Sequence, residues 1–290
     1  MTIGDRIATW ALAALLGGLR LLPMAAASAL MGGIARILGP PLGISRRARA
    51  RLERALPGLG EAEYRRIIRG MWDNLGRVFG EYAHLDRISC VGMGAQVELV
   101  GTEHVDAALA RGRPLLFVSG HCGNWEVGYI AARQYGLDVA PVYRAVNNPG
   151  VEALMLGVRR STGVEPIAKG AAGARRIIAA MKRNAALTLL VDQKMNDGIP
   201  VPFFGRDAMT APAAAELALR HEASLLPARV ERLRGVAFRV TVYPPLELER
   251  SGDRHADAAR IMLAINRRLE QWITERPDQW FWLHRRWKED

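Results

Sequence analysis

The stretch RPLLFVSGHCGNWEVGYIAAR, residues 113–133, reads as a buried strand, a tight turn and the start of a helix. The apolar run ends at Ser119-Gly120, His121 lies in the turn, and Glu126 follows five residues later. Two residues five apart in one helix point roughly 140° away from each other. Their side chains therefore converge only if His121 precedes the helix, and we predict that it lies on the turn.

His121 and Glu126 are the predicted catalytic pair. A neutral imidazole can accept a proton from a substrate hydroxyl, and a carboxylate can hold the ring in one tautomer and stabilise the imidazolium. Backbone N–H groups at the helix start suit an oxyanion or a phosphate. Spacing alone leaves a structural interpretation open, since a histidine after a strand often hydrogen-bonds a loop and a glutamate in a first turn complements the helix dipole.

The rest of the chain alternates short apolar runs with helix-length segments, which is typical of an α/β domain with a largely parallel central sheet flanked by helices. An amphipathic helix is predicted at about 61–85, and the α/β core from about residue 95. The predicted strands are 97–100, 115–118, 139–143, 164–167, 187–191, 225–231 and 237–242. The predicted core helices are 103–110, 124–134, 150–161, 173–183, 212–221 and 257–272.

The N-terminal segment 7–39 is almost wholly apolar, and Arg20 and Pro23 divide it into two pieces. Each piece is shorter than the roughly 20 residues that a membrane-spanning helix needs, whereas one continuous helix would exceed that length. A signal peptide and a buried helical hairpin are competing interpretations. Clustered arginines follow at 46–54, and such charge tends to stay cytoplasmic. We expect an uncleaved membrane-anchoring segment at 1–40 and a single α/β domain at 41–290.

The charge balance indicates anionic partners. Forty Lys and Arg against 29 Asp and Glu give a formal net charge of +11, which suits nucleic acid, anionic lipid or an acidic carrier protein. The aromatic and basic segment 280–287 suits either single-stranded nucleic acid or a membrane interface. No nucleic-acid recognition motif occurs, so we expect no nucleic-acid partner. Cys90 and Cys122 offer no metal-ligand spacing, and no metal is expected.

Four blocks of the sequence, in order, point to one family. HCGNWE at 121–126 resembles the His-x4-Asp/Glu signature of the glycerolipid acyltransferase superfamily, in the form found in bacterial lipid A lauroyl/myristoyl acyltransferases. VYRAVNNP at 142–149 resembles that family's second block. DQ at 192–193, followed by VPFFG at 201–205, resembles its third, and the segment 280–287 continues the match. The resemblance therefore covers most of the chain.

The resemblance implies transfer of a fatty acyl chain from an acyl-carrier-protein thioester to a hydroxyl of a lipid A precursor of the Kdo-lipid IVA type. The expected place is the cytoplasmic face of the cell inner membrane. His121 would activate the acceptor hydroxyl for direct attack, with Glu126 as its catalytic partner, so that no acyl-enzyme, cofactor or metal is expected. The residues expected to bind substrate are Asn124, Arg144, Asp192 and Gln193.

Several roles stay open at this point. Arg144 is expected to grip a phosphate through two donors, with a structural salt bridge as the alternative, and the role of Asp192 is not assigned. Arg47 and Arg51 are expected to contact the acidic carrier. Cys122 would allow an acyl-enzyme mechanism, which the family's hexapeptide does not require.

The acceptor is also open. Another glycolipid, such as a mannosylated phosphatidylinositol, or a lysophospholipid is the alternative acceptor, and the acyl chain length depends on the depth of an apolar pocket. A basic protein that binds a membrane surface or nucleic acid is the non-enzymatic alternative.

Overall fold

Seven strands form the central sheet of the protein, whose computed structural model describes residues 1–288. The strands in chain order, including a separate two-stranded hairpin (β6 and β7), are Val97–Val100 (β1), Leu115–Ser119 (β2), Val139–Tyr143 (β3), Ile167–Ala168 (β4), Ala186–Leu190 (β5), Ile199–Phe203 (β6), Arg206–Thr210 (β7), Ser224–Arg234 (β8) and Ala237–Val242 (β9). The helices are Ile3–Arg20 (α1), Met24–Leu38 (α2), Gly43–Ala55 (α3), Glu61–Tyr82 (α4), Thr102–Ala110 (α5), Glu126–Gln134 (α6), Pro149–Arg160 (α7), Ala171–Lys182 (α8), Ala213–His221 (α9) and Arg254–Glu275 (α10).

The sheet order is β1-β9-β8-β2-β5-β3-β4, and every neighbouring pair is parallel except β8 and β9. Successive side chains of a strand point to opposite faces. Leu116 and Val118 of β2 accordingly join one core cluster with α10, whereas Leu115 and Phe117 join a second cluster with α6. The predicted α/β architecture, with a largely parallel sheet covered on both faces, is confirmed.

One strand is shorter than predicted, and two segments without a predicted strand or helix form regular elements. The strand expected at 164–167 is only Ile167–Ala168. The Pro-rich segment that contains β6 reads as a loop but forms half of the hairpin, because Pro200 and Pro202 point outward while Val201 and Phe203 are buried. The arginine-rich segment forms α3, which buries Ala48, Leu52 and Ala55 along one face.

Arg51, expected on a carrier-binding surface, lies in the protein interior. It is 3% exposed, and its guanidinium donates hydrogen bonds to the carbonyls of Trp282 and Leu283 at 3.1 and 2.9 Å. Burial of the α3 inner face explains this, since Arg51 lies on the same side of the helix as Ala48 and Leu52. The prediction that Arg51 contacts a partner is therefore wrong.

The apolar N-terminus forms two helices that break between Arg20 and Pro23. No single helix in residues 1–288 is long and apolar enough to cross a bilayer; α2 and α3 together have the required length and composition, but they meet at an 87° bend. The outer face of α1 exposes Ile3, Ile7 and Trp10. A matching row on α2 consists of Leu30, Ile34 and Ile37.

The C-terminal tryptophans lie in the core. Trp280, Trp282 and Trp287 are each no more than 1% exposed, and Phe203 of β6 packs against the first and last of them. Phe203 is therefore part of the core. The three buried tryptophans therefore offer no surface for stacking on nucleic acid or for a membrane interface.

Helices α2 and α4 are in close contact because glycines of α4 leave room for the backbone of α2. A Cβ built on Gly80 would lie 2.4 Å from the carbonyl oxygen of Ala27, and one on Gly76 would lie 2.2 Å from that of Met31. Such approaches are too short for any side chain. The orientation of the N-terminal helices therefore depends on these two positions.

We expect Gly80→Ala to lower the free energy of unfolding by about 1–3 kcal/mol, because the added methyl group overpacks the contact with α2. Gly33→Ala is the matched control, since a Cβ at Gly33 meets nothing within 4 Å and alanine favours a helix by roughly 1 kcal/mol. Urea unfolding of the purified protein measures both. Equal stability of the two variants would contradict the close packing.

Candidate active site

The candidate site lies at the carboxyl edge of the parallel strands. His121 follows β2, Arg144 follows β3, and Asp192 and Gln193 follow β5. Because these strands are parallel and adjacent in the order β2-β5-β3, their carboxyl ends meet at one edge of the sheet. Residues separated by more than 70 positions in the chain are thus brought together.

Asp192 is the carboxylate that contacts His121. One oxygen of Asp192 lies 2.7 Å from His121 Nδ1, and the other accepts from the His121 backbone N–H at 2.7 Å. The second oxygen also accepts from the Trp280 indole N–H at 2.8 Å. With Nδ1 bound to a carboxylate, Nε2 is the ring nitrogen left for a substrate.

Asp192 is completely buried and ionised. Burial alone would raise the pKa of its carboxyl, but the charge and hydrogen bonds of His121 outweigh this and hold the pKa well below its ordinary value. No part of Asp192 is exposed, and its side chain does not line the cavity in which a substrate would make the predicted direct contact. Its position is that of a group that orients the histidine and stabilises the imidazolium.

The side-chain hydrogen bonds of Glu126 are formed with residues other than His121. Its carboxylate forms a two-pronged salt bridge with Arg159 at 2.6 and 3.0 Å and accepts from the Tyr129 hydroxyl at 2.8 Å. Burial alone would raise the pKa of Glu126, but Arg159 holds it below the ordinary value. The predicted pairing of His121 with Glu126 is therefore wrong, because Asp192 already occupies Nδ1. The catalytic role of Glu126 itself stays a prediction.

The turn before α6 has the predicted form. The helix begins at Glu126, so His121 precedes it. Gly123 adopts a positive φ of 56°, and a Cβ there would lie 2.8 Å from the carbonyl oxygen of Val230. The C-terminal segment braces the turn: the Gly123 N–H donates to the Gln279 carbonyl at 3.0 Å, and the Phe281 N–H donates to that of His121 at 3.1 Å.

Asn124 holds the turn to the scaffold rather than facing a substrate. It is fully buried, its amide donates to Glu81 at 2.7 Å, and its oxygen accepts from the Glu126 N–H at 3.2 Å. Glu81, also fully buried, forms a two-pronged ion pair with Arg232 and accepts from the Ser28 hydroxyl. Both ends of the Asn124 side chain are thus engaged within the core, and its substrate-binding role stays a prediction.

A cavity of about 500 Å³ opens in front of His121. Arg144 and Gln193 line it, and the Gln193 amide nitrogen lies 3.4 Å from His121 Nε2. Arg144 is exposed, and no ion pair with it is found within the described chain. Arg144 and Gln193 are therefore accessible from the cavity, as a substrate-binding role requires.

A second, narrow cavity runs between α6 and the sheet. It shares Trp125, Tyr143 and the Glu126–Arg159 pair with the larger cavity. The rest of its lining is almost wholly apolar, and this lining includes Val105, Phe117, Leu137, Val230 and Val240. This cavity of about 100 Å³ beside a polar site therefore has an apolar lining of the kind that contacts hydrocarbon.

Cys122 is poorly placed to act as a nucleophile. It is buried, and burial raises the pKa of its thiol far above the ordinary value. Its backbone forms an isolated bridge with Trp280 instead. Within residues 1–288, no group of three or more His, Cys, Asp or Glu side chains is arranged to hold a metal ion.

Arg159, Trp280 and His284 are site residues that sequence reasoning missed. The His284 ring lies 6.0 Å from that of His121, and its Nε2 is 2.9 Å from the Asp192 carbonyl oxygen. Burial lowers the pKa of His284 to about 4, so the ring is neutral at pH 7. The terminal segment had been noted for its aromatic and basic character, but nothing in that composition indicates contact with Asp192.

Comparisons with known proteins agree with the motif blocks. A family model described as "Bacterial lipid A biosynthesis acyltransferase" matches residues 2–289. The phosphatidylinositol mannoside acyltransferase of Mycobacterium tuberculosis (strain ATCC 25618 / H37Rv) is 28% identical over 224 residues, 75% of this chain and 69% of that protein. The lipid A biosynthesis lauroyltransferase of Escherichia coli (strain K12) is 26% identical over 243 residues, 82% and 76% of the two chains. The lipid A biosynthesis acyltransferase of Haemophilus influenzae (strain ATCC 51907 / DSM 11121 / KW20 / Rd) is 22% identical over 241 residues, 82% and 73%. These comparisons confirm the resemblance.

We expect Asp192→Asn to lower kcat for acyl transfer by roughly 10²–10⁴-fold, because the amide cannot stabilise the imidazolium. Nitrogen-15 NMR of the imidazole should show a changed tautomer balance at His121. Asp197→Asn, in the exposed loop that follows, is the control for loss of one carboxylate. Unchanged kcat in a folded Asp192→Asn variant would remove Asp192 from the mechanism.

Arg159→Met is expected to cost about 3–5 kcal/mol of stability, because it leaves the Glu126 charge buried and unpaired. The double variant Glu126→Gln/Arg159→Met removes both charges and should recover much of that loss in urea unfolding. The exposed pair Arg160–Glu165 supplies the control, since Arg160→Met should cost less than about 1 kcal/mol. Equal losses in the single and double variants would contradict a buried ion pair at this position.

Proposed function

Since the chain belongs to the bacterial lipid A biosynthesis acyltransferase family, we propose that it moves a fatty acyl chain from an acyl-carrier-protein thioester to a hydroxyl of a lipid A precursor of the Kdo-lipid IVA type. The observation that carries this proposal is the state of His121. Its Nδ1 is held by the buried carboxylate of Asp192, and the ring lines a cavity of about 500 Å³. A histidine held in this way is equipped to act as a general base.

The proposed reaction is a direct transfer. Nε2 of His121 takes the proton of the acceptor hydroxyl as its oxygen attacks the thioester carbonyl carbon. The tetrahedral intermediate collapses with cleavage of the carbon–sulfur bond, and the departing sulfur takes the proton from the imidazolium. Asp192 stabilises that imidazolium through Nδ1, and the buried Cys122 thiol takes no part.

The narrow apolar cavity is the proposed place of the donor's acyl chain. The reacting carbonyl would lie near His121 and Trp125, with the hydrocarbon running past the Glu126–Arg159 pair toward Phe117 and its apolar neighbours. Each CH₂ group that moves from water into an apolar cavity lowers the free energy by about 0.8 kcal/mol. The paired charges of Glu126 and Arg159 then shape the channel wall without presenting a lone charge to the chain.

The N-terminal helices support attachment to a membrane. Their outer faces expose the apolar rows that include Ile7 and Trp10 on α1 and Ile34 on α2. Exposed apolar rows with a tryptophan suit helices that lie in the membrane interface. The inner face of α1 contributes Leu12 and Leu16 to the cavity of His121. We propose that these helices place the site beside the cytoplasmic leaflet of the inner membrane, where a lipid acceptor reaches the cavity without leaving the bilayer.

Another glycolipid is a second candidate acceptor. The observation in its favour is that two M. tuberculosis proteins named phosphatidylinositol mannoside acyltransferase are each 28% identical to this chain. The cavity that contains His121, Arg144 and Gln193 suits a phosphorylated sugar of either kind. The non-enzymatic alternative, a nucleic-acid binder, loses its aromatic surface because Trp280, Trp282 and Trp287 are buried.

The test is an assay of the purified protein. Acyl carrier proteins loaded with chains of several lengths are offered with a Kdo-bearing lipid A precursor, a phosphatidylinositol mannoside and a lysophospholipid. We expect transfer to the lipid A precursor, and a loss of at least about 10²-fold in His121→Ala. His255→Ala, at an exposed position on α10, should keep full activity.

Transfer that prefers the mannoside would replace the proposed acceptor. Full activity of His121→Ala would overturn the proposed mechanism.

A further inference from the structure

Two cations lie side by side at the carboxyl edge beyond Asp192. Strands β3 and β4 are parallel with Val142 opposite Ile167 and Tyr143 opposite Ala168. The next residue of each strand is a cation, Arg144 and Lys169. The Lys169 backbone N–H continues the ladder by donating to the Tyr143 carbonyl at 2.8 Å.

Both cations belong to the cavity of His121, and in the described part of the chain neither is paired with a carboxylate. Arg144 and Lys169 both line that cavity, and neither forms an ion pair or side-chain hydrogen bond with another residue in the part of the chain that is described. The carboxylate of Glu152, which also lines this cavity, accepts hydrogen bonds from the Tyr143 hydroxyl and the Val146 N–H and forms none with the two cations. The remaining cavity arginine, Arg159, is neutralised by Glu126.

This placement has an electrostatic cost. Desolvation by the cavity wall lowers the pKa of Lys169 below its ordinary value; Asp192 opposes that shift, and the like charge of Arg144 adds to it. Two like charges held close together in a partly desolvated site repel each other more strongly than in water. A bound anion would remove the repulsion and supply acceptors to both side chains.

We propose that Arg144 and Lys169 form one subsite that binds a phosphate group of a substrate, an inference that rests on the proposed function. The planar guanidinium can hold two phosphate oxygens, and the ammonium supplies a compact charge and up to three donors. Together they suit a tetrahedral anion that carries two charges. The proposal assigns Lys169 a binding role that the sequence motifs do not indicate.

The sheet fixes the reach of this subsite. Across the edge, His121, Asp192, Arg144 and Lys169 follow the successive strands β2, β5, β3 and β4. Neighbouring strands lie about 4.8 Å apart, so the backbones of Arg144 and Lys169 lie roughly 10–14 Å from that of His121. The phosphate would therefore bind away from the reacting hydroxyl, in another part of the cavity, rather than at the point of attack.

Two sources of phosphate fit this distance, the acceptor lipid and the phosphopantetheine arm of the donor. We propose to compare Lys169→Met, Arg144→Met and Lys169→Arg with Lys182→Met, which removes the same charge from an exposed position at the far end of α8. Kinetics are measured with an acceptor with and without its phosphates, and with an acyl-carrier donor or an acyl-pantetheine that lacks phosphate. Binding of inorganic pyrophosphate to each variant is measured by calorimetry in the absence of both substrates.

We expect Lys169→Met and Arg144→Met to raise the KM of the phosphate-bearing substrate roughly tenfold or more, as loss of one charge-assisted contact predicts, with kcat little changed. Lys169→Arg should restore most of the affinity, and Lys182→Met should behave as the wild type. If the variants no longer raise the KM of a substrate after its phosphate has been removed, that substrate is the source of the bound phosphate. Pyrophosphate should bind the wild type and Lys182→Met more tightly than Lys169→Met.

Unchanged KM values together with unchanged pyrophosphate binding in Lys169→Met would overturn the subsite. Failure of the subsite can be told apart from failure of the proposed function. If only the subsite fails, the wild type still transfers acyl chains and His121→Ala does not. If the wild type transfers no acyl chain to any acceptor, the proposed function fails, and the pyrophosphate measurement still decides whether the two cations bind phosphate.

Discussion

The contact between His121 and Asp192 is the interaction on which the site depends. A fully buried carboxylate remains ionised only if its hydrogen bonds and nearby positive charge offset the loss of water. Here the His121 ring, the His121 backbone N–H and the Trp280 indole supply those contacts. Because Trp280 is among the last residues of the chain, the C-terminal segment is as much a part of the site as the turn that bears the histidine.

The site contains two carboxylates that differ in their partners. Asp192 contacts the histidine, whereas Glu126, the acidic residue of the motif, neutralises Arg159 at the wall between the two cavities. Both are buried, and in both the hydrogen bonds and charges of the surrounding groups outweigh the cost of burial. The Glu126–Arg159 pair ties α6 to α7, so it also fixes the distance between the turn and the opposite side of the cavity.

The N-terminal helices connect the site to the outer surface. Gly76 and Gly80 let α4 approach the backbone of α2, and next to this contact Glu81 bonds both Ser28 of α2 and Asn124 of the turn. Helix α1 has an exposed apolar outer face and an inner face that lines the cavity. Only one layer of helices therefore separates the exposed apolar surface from the reacting groups, an arrangement that suits an enzyme that acts on a lipid.

The sequence by itself determined the α/β architecture, the turn that carries His121 before α6 and the relation to a family of acyltransferases. These features are local, because they depend on apolar periodicity and on motifs of a few residues. Only the tertiary structure decided that Asp192 contacts His121, that Asn124 and Arg51 are buried, that the terminal tryptophans belong to the core and that Lys169 lies beside Arg144. Each of these depends on which strands and segments become neighbours. Five residues of spacing made Glu126 the nearest acid in the chain, but the parallel pairing of β2 with β5 made Asp192 the nearest acid in space.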